Sequence, residues 1–261
     1  MKENLYIIKI GGNCIDDKSV LLPFLKKFSA LKGHKILIHG GGNIATDLAK
    51  RLNIEQTFYH GRRITDRSTL DIAVMSYRGL INSELVSTLQ SLHCNAIGLS
   101  GTDAGLIKAH RRPITSIDYG YVGDIDAINT DIIQLLLENN LIPVIAPITT
   151  DEYGTLLNTN ADTIATTTAI AMQDYYEVSL LFCFDKKGVF ADADNQEVIL
   201  NTLCESDYEK LRNNDTISNG MNPKLENAFH ALNEGVSTIV IMHPDALDPN
   251  TENIIGTRIV K

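Results

Sequence analysis

Short apolar runs alternate along the chain with longer stretches whose apolar residues recur every three or four positions. Leu5 to Ile10 is the first run, broken only by Lys9 and closed by Gly11-Gly12. Such a run suits a strand buried on both faces of a parallel sheet. Val20, Leu21, Phe24, Leu25, Phe28 and Leu31 then repeat at helical spacing until Gly33, a residue type that ends helices by entering the left-handed region without strain. Lys35 to His39 is a second strand, capped by Gly40-Gly-Gly42, and Asn43 to Leu52 returns to a helix. This βαβ unit carries glycine at the carboxyl end of both strands, where open α/β sheets bind ligands.

Thr57 to Thr65 has the pattern of an extended or hairpin segment, and Asp66 opens a long helix to about Leu92. Asn95 to Leu99 is a strand, and the turn-rich stretch from Gly101 to Gly123 suits short antiparallel strands. A helix at Thr130 to Asn139, a strand at Ile142 to Ile148 and a helix at Ala161 to Met172 follow. The pattern then runs again: strand Val178 to Phe184, helices Ser206 to Arg212 and Pro223 to Glu234, and strand Thr238 to Met242. No linker or composition break separates the halves. The expected fold class is α/β, a three-layer α/β/α sandwich with an open, mainly parallel central sheet, forming one domain over 1–261 whose two lobes meet near residue 175.

A chain of 261 residues, 44% hydrophobic, buries a sizeable core without disulfides or metals. Lys and Arg total 23 against 32 Asp and Glu, a net charge of -9, which argues against a nucleic-acid partner. The four scattered cysteines read as reduced thiols of a cytoplasmic protein. No apolar run approaches the roughly 18 residues of a membrane span, and the histidines show no metal-ligand spacing, so neither a membrane partner nor a protein-held metal is expected.

Lys9 is the first chemical oddity, because an ammonium in a buried strand is costly unless an anion pairs with it. A lysine snorkelling from an edge strand is the plain alternative. The two glycines after it favour an anion site, since their backbone can close on an oxyanion. Gly40-Gly-Gly42 is a second such cradle. Neither a G-x-x-x-x-G-K-[ST] phosphate loop nor a G-x-G-x-x-G dinucleotide loop occurs in the chain, which removes P-loop enzymes and disfavours a nicotinamide site. Asn222-Pro223-Lys224 reads as N-cap, first helical residue and a lysine in the first turn. That lysine opposes the helix dipole unless it shares an anion bound there; a solvated surface lysine is the alternative. Asn158-Thr-Asn160-Ala-Asp162 is a good capping sequence in its own right, with Asn160 as N-cap. Two lysines gripping one phosphate would also repel each other, and a carboxylate such as Asp162 between them would hold both. Arg62 and Arg63 offer guanidinium groups suited to a carboxylate, or to a surface pairing with Asp66.

In order along essentially the whole chain, Lys9-Ile-Gly-Gly12, His39-Gly-Gly-Gly42, Gly61-x-Arg63-Ile-Thr65, Val122-Gly-Asp124, Asn158-x-Asn-Ala-Asp162, Gly220-Met-x-Pro-Lys224 and Gly256-Thr-Arg-Ile259 resemble the amino acid kinase superfamily. The similarity is nearest to its branch that phosphorylates N-acetyl-L-glutamate in arginine biosynthesis. The resemblance implies that Lys9 and Lys224 stabilise the transition state, that Asp162 organises them, and that Gly11 and Gly41 donate N–H groups to the transferring phosphoryl. It implies that Gly41, Gly42, Arg63 and Asn158 hold the N-acyl-L-glutamate, and that Lys9, Gly11, Gly12 and Lys224 lie on the ATP phosphates, with Mg2+ bridging those phosphates. The N-lobe would bind the acyl amino acid and the C-lobe ATP. Two departures stand out: Asp185-Lys-Lys-Gly-Val189 where relatives read Asp-Val-x-Gly-Val, and Arg62 where they usually have leucine. Alternative readings are N-succinyl-L-glutamate as acceptor, another kinase of this fold, and a catalytically inactive ligand sensor. Eight residues precede Lys9, too few for the extra helix through which arginine-sensitive relatives form hexamers. A homodimer that arginine does not inhibit is therefore expected, with the helix from Asp66 to Leu92 as its candidate interface.

Overall fold

A computed structural model describes residues 2–59, 62–190, 198–213, 221–249 and 255–261. Gly61 and Gly220, each the first residue of a motif, lie outside the described residues.

The first βαβ unit follows the expected pattern: β1 (Asn4–Ile10), α1 (Gly12–Asp16), α2 (Lys18–Ala30), β2 (His34–His39) and α3 (Gly42–Arg51). Gly33 has φ +86° between α2 and β2, the left-handed turn that its lack of a side chain permits. Thr57 to Thr65 is a hairpin, with β3 (Thr57–Tyr59) antiparallel to β4 (Arg62–Ile64). Asp66 caps the long helix by accepting from the Thr69 amide at 2.7 Å. That helix is α4 (Arg67–Ala73), a π-helical segment (Val74–Ile81) and α5 (Asn82–Ser91) in succession, where uniform α-helix was expected.

Next come β5 (Ala96–Ser100), β6 (Ile107–Arg111), β7 (Val122–Ile128), α6 (Thr130–Glu138) and β8 (Ile142–Ala146). The expected strand from Ile142 to Ile148 divides at Pro147, which has no N–H to give a ladder; β9 (Ile148–Thr150) and β10 (Leu156–Thr159) follow. The antiparallel pair β6–β7 was expected, but with β9 and β10 it closes a small four-stranded barrel. The chain continues through α7 (Ala161–Met172), β11 (Glu177–Cys183), β12 (Thr202–Leu203), α8 (Glu205–Asn213), α9 (Asn222–Asn233), β13 (Thr238–Met242) and β14 (Thr257–Ile259).

The central sheet has eight strands in the order β12-β14-β13-β11-β1-β2-β8-β5. Every neighbouring pair is parallel except β13–β14. Helices cover both faces, each over its own apolar core, giving the expected α/β/α layers. Strand β1 is central, and its alternation sorts its side chains. Ile8 and Ile10 enter the core under α2, while Leu5 and Ile7 enter the core under α7 and α9. Lys9 shares the second face, which carries it to Asp162 and Lys224. Among the described residues no helix is long and apolar enough to cross a membrane.

Candidate active site

Three charged residues meet where β1 ends. Lys9 Nζ lies 2.7 Å from Asp162 Oδ1, and Lys224 Nζ donates to Asp162 Oδ2 at 3.1 Å. Asp162 stands in the first turn of α7, where the helix dipole favours a carboxylate, and Asn160 caps that helix through the Thr163 amide at 3.0 Å. Lys224 stands in the first turn of α9. The cap expected from Asn222 is not made: Asn222 is itself the first helical residue, after Met221. Burial alone would raise the Asp162 pKa, but the two ammonium groups outweigh it and hold the carboxyl at about 2. Burial pushes the Lys9 pKa down, opposed by Asp162 and abetted by Lys224. Among the described residues, one carboxylate gripped by two cations leaves an excess positive charge in a buried place.

The glycine turns lie against this triad. A Cβ on Gly12 would come within 3.2 Å of the Gly42 nitrogen, so the two turns pack backbone on backbone. Gly41 has φ +149°, and a Cβ there would fall 2.1 Å from Ile81 Cδ1, so glycine is required twice over. Helices α1 and α3 begin at Gly12 and Gly42, whose leading amides have no intrahelical carbonyl. Gly11 differs. Its N–H, expected to reach a phosphoryl group, is spent on the Cys183 carbonyl at 3.0 Å.

Two cavities share Lys9 and Gly12. One of about 310 Å3 is lined by Gly41, Gly42, Arg63, Asn158 and Asp162. Arg63 Nη2 donates to Gly42 O at 2.9 Å and to Thr46 Oγ1 at 3.0 Å, its Nη1 donates to Gln56, and the guanidinium sits 4.7 Å from the Phe58 ring. Asn158 Nδ2 donates to Thr65 Oγ1 at 3.1 Å. Arg62 lines the same cavity as Arg63, although neighbours on a strand tend to point to opposite faces. The second cavity, about 360 Å3, is lined by Gly11, Phe184, Asp185, Lys186, Met221 and Lys224 among others. Cys14 also lines it, its thiol pushed up to about 11 by burial and so unreactive. Asn13 ties the parts together, donating to Asp185 Oδ2 at 2.9 Å and accepting from Asn43 at 2.7 Å.

Two cavities meeting at one buried cationic point suit the passage of an anionic group between two bound molecules. The sequence profile of the amino acid kinase family matches residues 4–243. The chain belongs to the amino acid kinase family. Within the family it is similar to acetylglutamate kinase of Cytophaga hutchinsonii, 45% identical over 261 residues and 99% of each chain. It is also similar to acetylglutamate kinase of Bacteroides thetaiotaomicron, 42% identical over the whole of both chains, and of Methanopyrus kandleri, 36% identical over 92% of this chain and 96% of that one. Among solved structures, smu.665 from Streptococcus mutans superposes with a TM-score of 0.81 at 24% identity, covering 98% of both chains. Giardia carbamate kinase superposes at 0.69 and 14% identity, again over 98% of both. These two likenesses show the amino acid kinase fold.

The structure brings Lys9, Gly12, Gly41, Gly42, Arg63, Asn158, Asp162 and Lys224 around the two cavities. It adds residues that the motifs did not single out. Arg112 lines the first of the two cavities and makes a two-pronged ion pair with Asp124, at 2.6 and 3.1 Å. That pairing explains the aspartate of Val122-Gly-Asp124. Tyr77 and Tyr119 line the same cavity. Gly256-Thr-Arg-Ile259 lies away from both cavities, and its buried Thr257 hydroxyl donates to Leu200 O at 2.6 Å and accepts from the Val189 amide at 2.8 Å. This motif seats the loop after β11.

Proposed function

We propose that this chain transfers the γ-phosphoryl group of ATP to the γ-carboxylate of N-acetyl-L-glutamate, giving an acyl phosphate in arginine biosynthesis. The observation that carries the reading is the Lys9–Asp162–Lys224 triad at the junction of two cavities, in a chain 42–45% identical over its full length to proteins named for that substrate. The N-lobe, about 1–175, binds the acyl amino acid, and the C-lobe, about 176–261, binds ATP.

A γ-carboxylate is already ionised at neutral pH, so the nucleophile needs no general base. The work is alignment and charge neutralisation. Lys9 and Lys224 act on the equatorial and leaving-group oxygens, and Asp162 keeps the two ammonium groups apart and aimed. The amides of Gly12, Gly41 and Gly42 supply the backbone donors, with Gly11 shaping the nucleotide side rather than donating. Arg63 and Asn158 hold the acyl amino acid. Mg2+ would be held mainly through the nucleotide phosphates, where it would offset their charge.

Free thiols at Cys14, Cys94, Cys183 and Cys204 suit the reducing cytoplasm. A homodimer through the long helix would cover Met75 and Leu80, 48% and 49% exposed, and light scattering at the mass of a monomer would remove it. The activity itself is tested by trapping the acyl phosphate as a hydroxamate with N-acetyl-L-glutamate, N-succinyl-L-glutamate, L-glutamate, L-aspartate and carbamate as acceptors. The reading expects the largest kcat/KM on N-acetyl-L-glutamate. A larger value on an unacylated acceptor would replace it.

A further inference from the structure

His39, the last residue of β2, is fully buried and touches the glycine turn. Its Nδ1 lies 2.8 Å from the Gly40 carbonyl. A carbonyl only accepts, so Nδ1 carries the proton and Nε2 of the neutral ring is bare. Asn82 meets that bare nitrogen, with Nδ2 3.1 Å away. The orientation of the carboxamide is fixed by its other partners. Nδ2 also donates to Val144 O at 2.9 Å, and Oδ1 accepts from Arg78 Nη1 at 3.1 Å. A flipped amide would set oxygen against oxygen at Val144.

Peptide planarity carries this contact into the site. The Gly40 carbonyl and the Gly41 N–H belong to one trans peptide and point in opposite directions. The Gly40 N–H is already bonded to Ile10 O at 3.0 Å. With its carbonyl held on His39, the next N–H, that of Gly41, is aimed the other way, and Gly41 lines the first of the two cavities. The chain makes room for the arrangement elsewhere. Gly98 lies inside β5, where glycine is otherwise unfavourable, and a Cβ there would come 2.2 Å from Asn82 Oδ1. The π-helical segment ends at Ile81, which presses on Gly41, and Asn82 follows at once. Such segments occur disproportionately at functional sites.

We propose that Asn82 and His39 are positioning residues for phosphoryl transfer: Asn82 fixes the tautomer of His39, and that tautomer pins the Gly40–Gly41 peptide so that the Gly41 N–H faces the reacting group. The proposal rests on the reading that Gly41 receives the transferring phosphoryl. Without Asn82 the ring is free to carry its proton on Nε2, which turns a lone pair on the Gly40 carbonyl and releases the peptide.

The test is a double-mutant cycle read in kcat. Asn82→Ala is expected to lower kcat about tenfold with the KM for ATP little changed, as a misaimed donor does. In the His39→Asn variant the side-chain nitrogen stands where Nδ1 does and has no tautomer to lose. His39→Asn therefore recovers a part of the kcat that His39→Ala loses, and adding Asn82→Ala to it costs little more. Gly98→Ala, which displaces the carboxamide without removing it, lowers kcat in the His39 background alone. A merely structural role predicts equal losses in both backgrounds, and that result overturns the proposal. Nitrogen-15 NMR of the unmodified enzyme provides the check that needs no variant: Nδ1–H at His39 supports the proposal, and Nε2–H overturns it. Lys9→Met run alongside separates the two levels. Retained turnover there would sink the reading of the site, whereas an inert Lys9→Met with equal Asn82→Ala losses in both backgrounds would sink only the role of His39 and Asn82.

Discussion

Lys9 and Lys35 lie on the neighbouring parallel strands β1 and β2, and they are 5% and 4% exposed. Burial lowers the pKa of both. Yet they sit at opposite ends of the sheet, and their partners differ. Lys35 Nζ donates to the carbonyls of Ser29 and Leu31, each at 2.8 Å, and lies 5.4 Å from the Phe28 ring. Those carbonyls belong to the last turn of α2 and the residue after it, which lack intrahelical donors and attract a cation. The ammonium is used up as a helix cap. At the carboxyl end, Lys9 shares one carboxylate with Lys224 and faces two cavities between glycine turns. Charge is left over there, and space is left over beside it. The same residue type at the same burial is structural at one end of the sheet and is proposed to be catalytic at the other, and what separates them is whether the partners exhaust the charge.

The comparison is broken most severely at Asp162. Asp162→Asn leaves two buried ammonium groups against each other, so kcat should fall about a hundredfold or more, and the fold should lose about 3 kcal/mol in urea unfolding. Nearly normal values of both would mean that the triad carries neither load. Acidification sharpens the contrast. A carboxyl held at about 2 in the folded protein, against an ordinary aspartate value of 3.8, contributes stability that is present above the unfolded value and is lost as pH falls through the folded one. Unfolding free energy should therefore drop by about 2 kcal/mol between pH 4 and pH 2 on account of this group, and Asp162→Asn should lack that component. A parallel acid profile for wild type and Asp162→Asn would place the acid sensitivity elsewhere. The smallest effect belongs to Arg62, exposed on the cavity that Arg63 and Asn158 line. Arg62→Leu should change kcat/KM for N-acetyl-L-glutamate by less than about threefold. A fall for N-succinyl-L-glutamate alone would assign Arg62 to the acyl end.

Lys9 was legible because a charge in a buried run violates burial statistics, and period two put it on the face of Leu5 and Ile7. Asp162 was legible through the cap formed by Asn160, and Lys224 through its conflict with the helix dipole. The hairpin carrying Arg63 was legible from its pattern alone. What stayed hidden arises between residues far apart in the chain. Asn82 meets His39 43 positions away, and nothing in the local pattern of either residue announces the other. Arg112 reaches Asp124 across β6–β7, whose closure into a barrel depends on β9 and β10. Residues 156–159 were too short and too polar to stand out as a strand beside the capping sequence that follows. The π-helical segment keeps the composition of an α-helix, so only the backbone reveals it. Thr257 looked like part of a functional signature, and its hydroxyl is instead spent inside the sheet edge.

The central claim is that the uncompensated charge at the carboxyl end performs phosphoryl transfer while its counterpart at the other end only holds the fold. The most direct test measures kcat and urea stability together in Lys9→Met and Lys35→Met, with ATP and N-acetyl-L-glutamate. The account predicts that Lys9→Met loses about a hundredfold or more in kcat. It predicts that Lys35→Met keeps kcat and loses about 1–3 kcal/mol of stability through its two orphaned carbonyls. Wild-type turnover in Lys9→Met, or equal losses of kcat in the two variants, would contradict it.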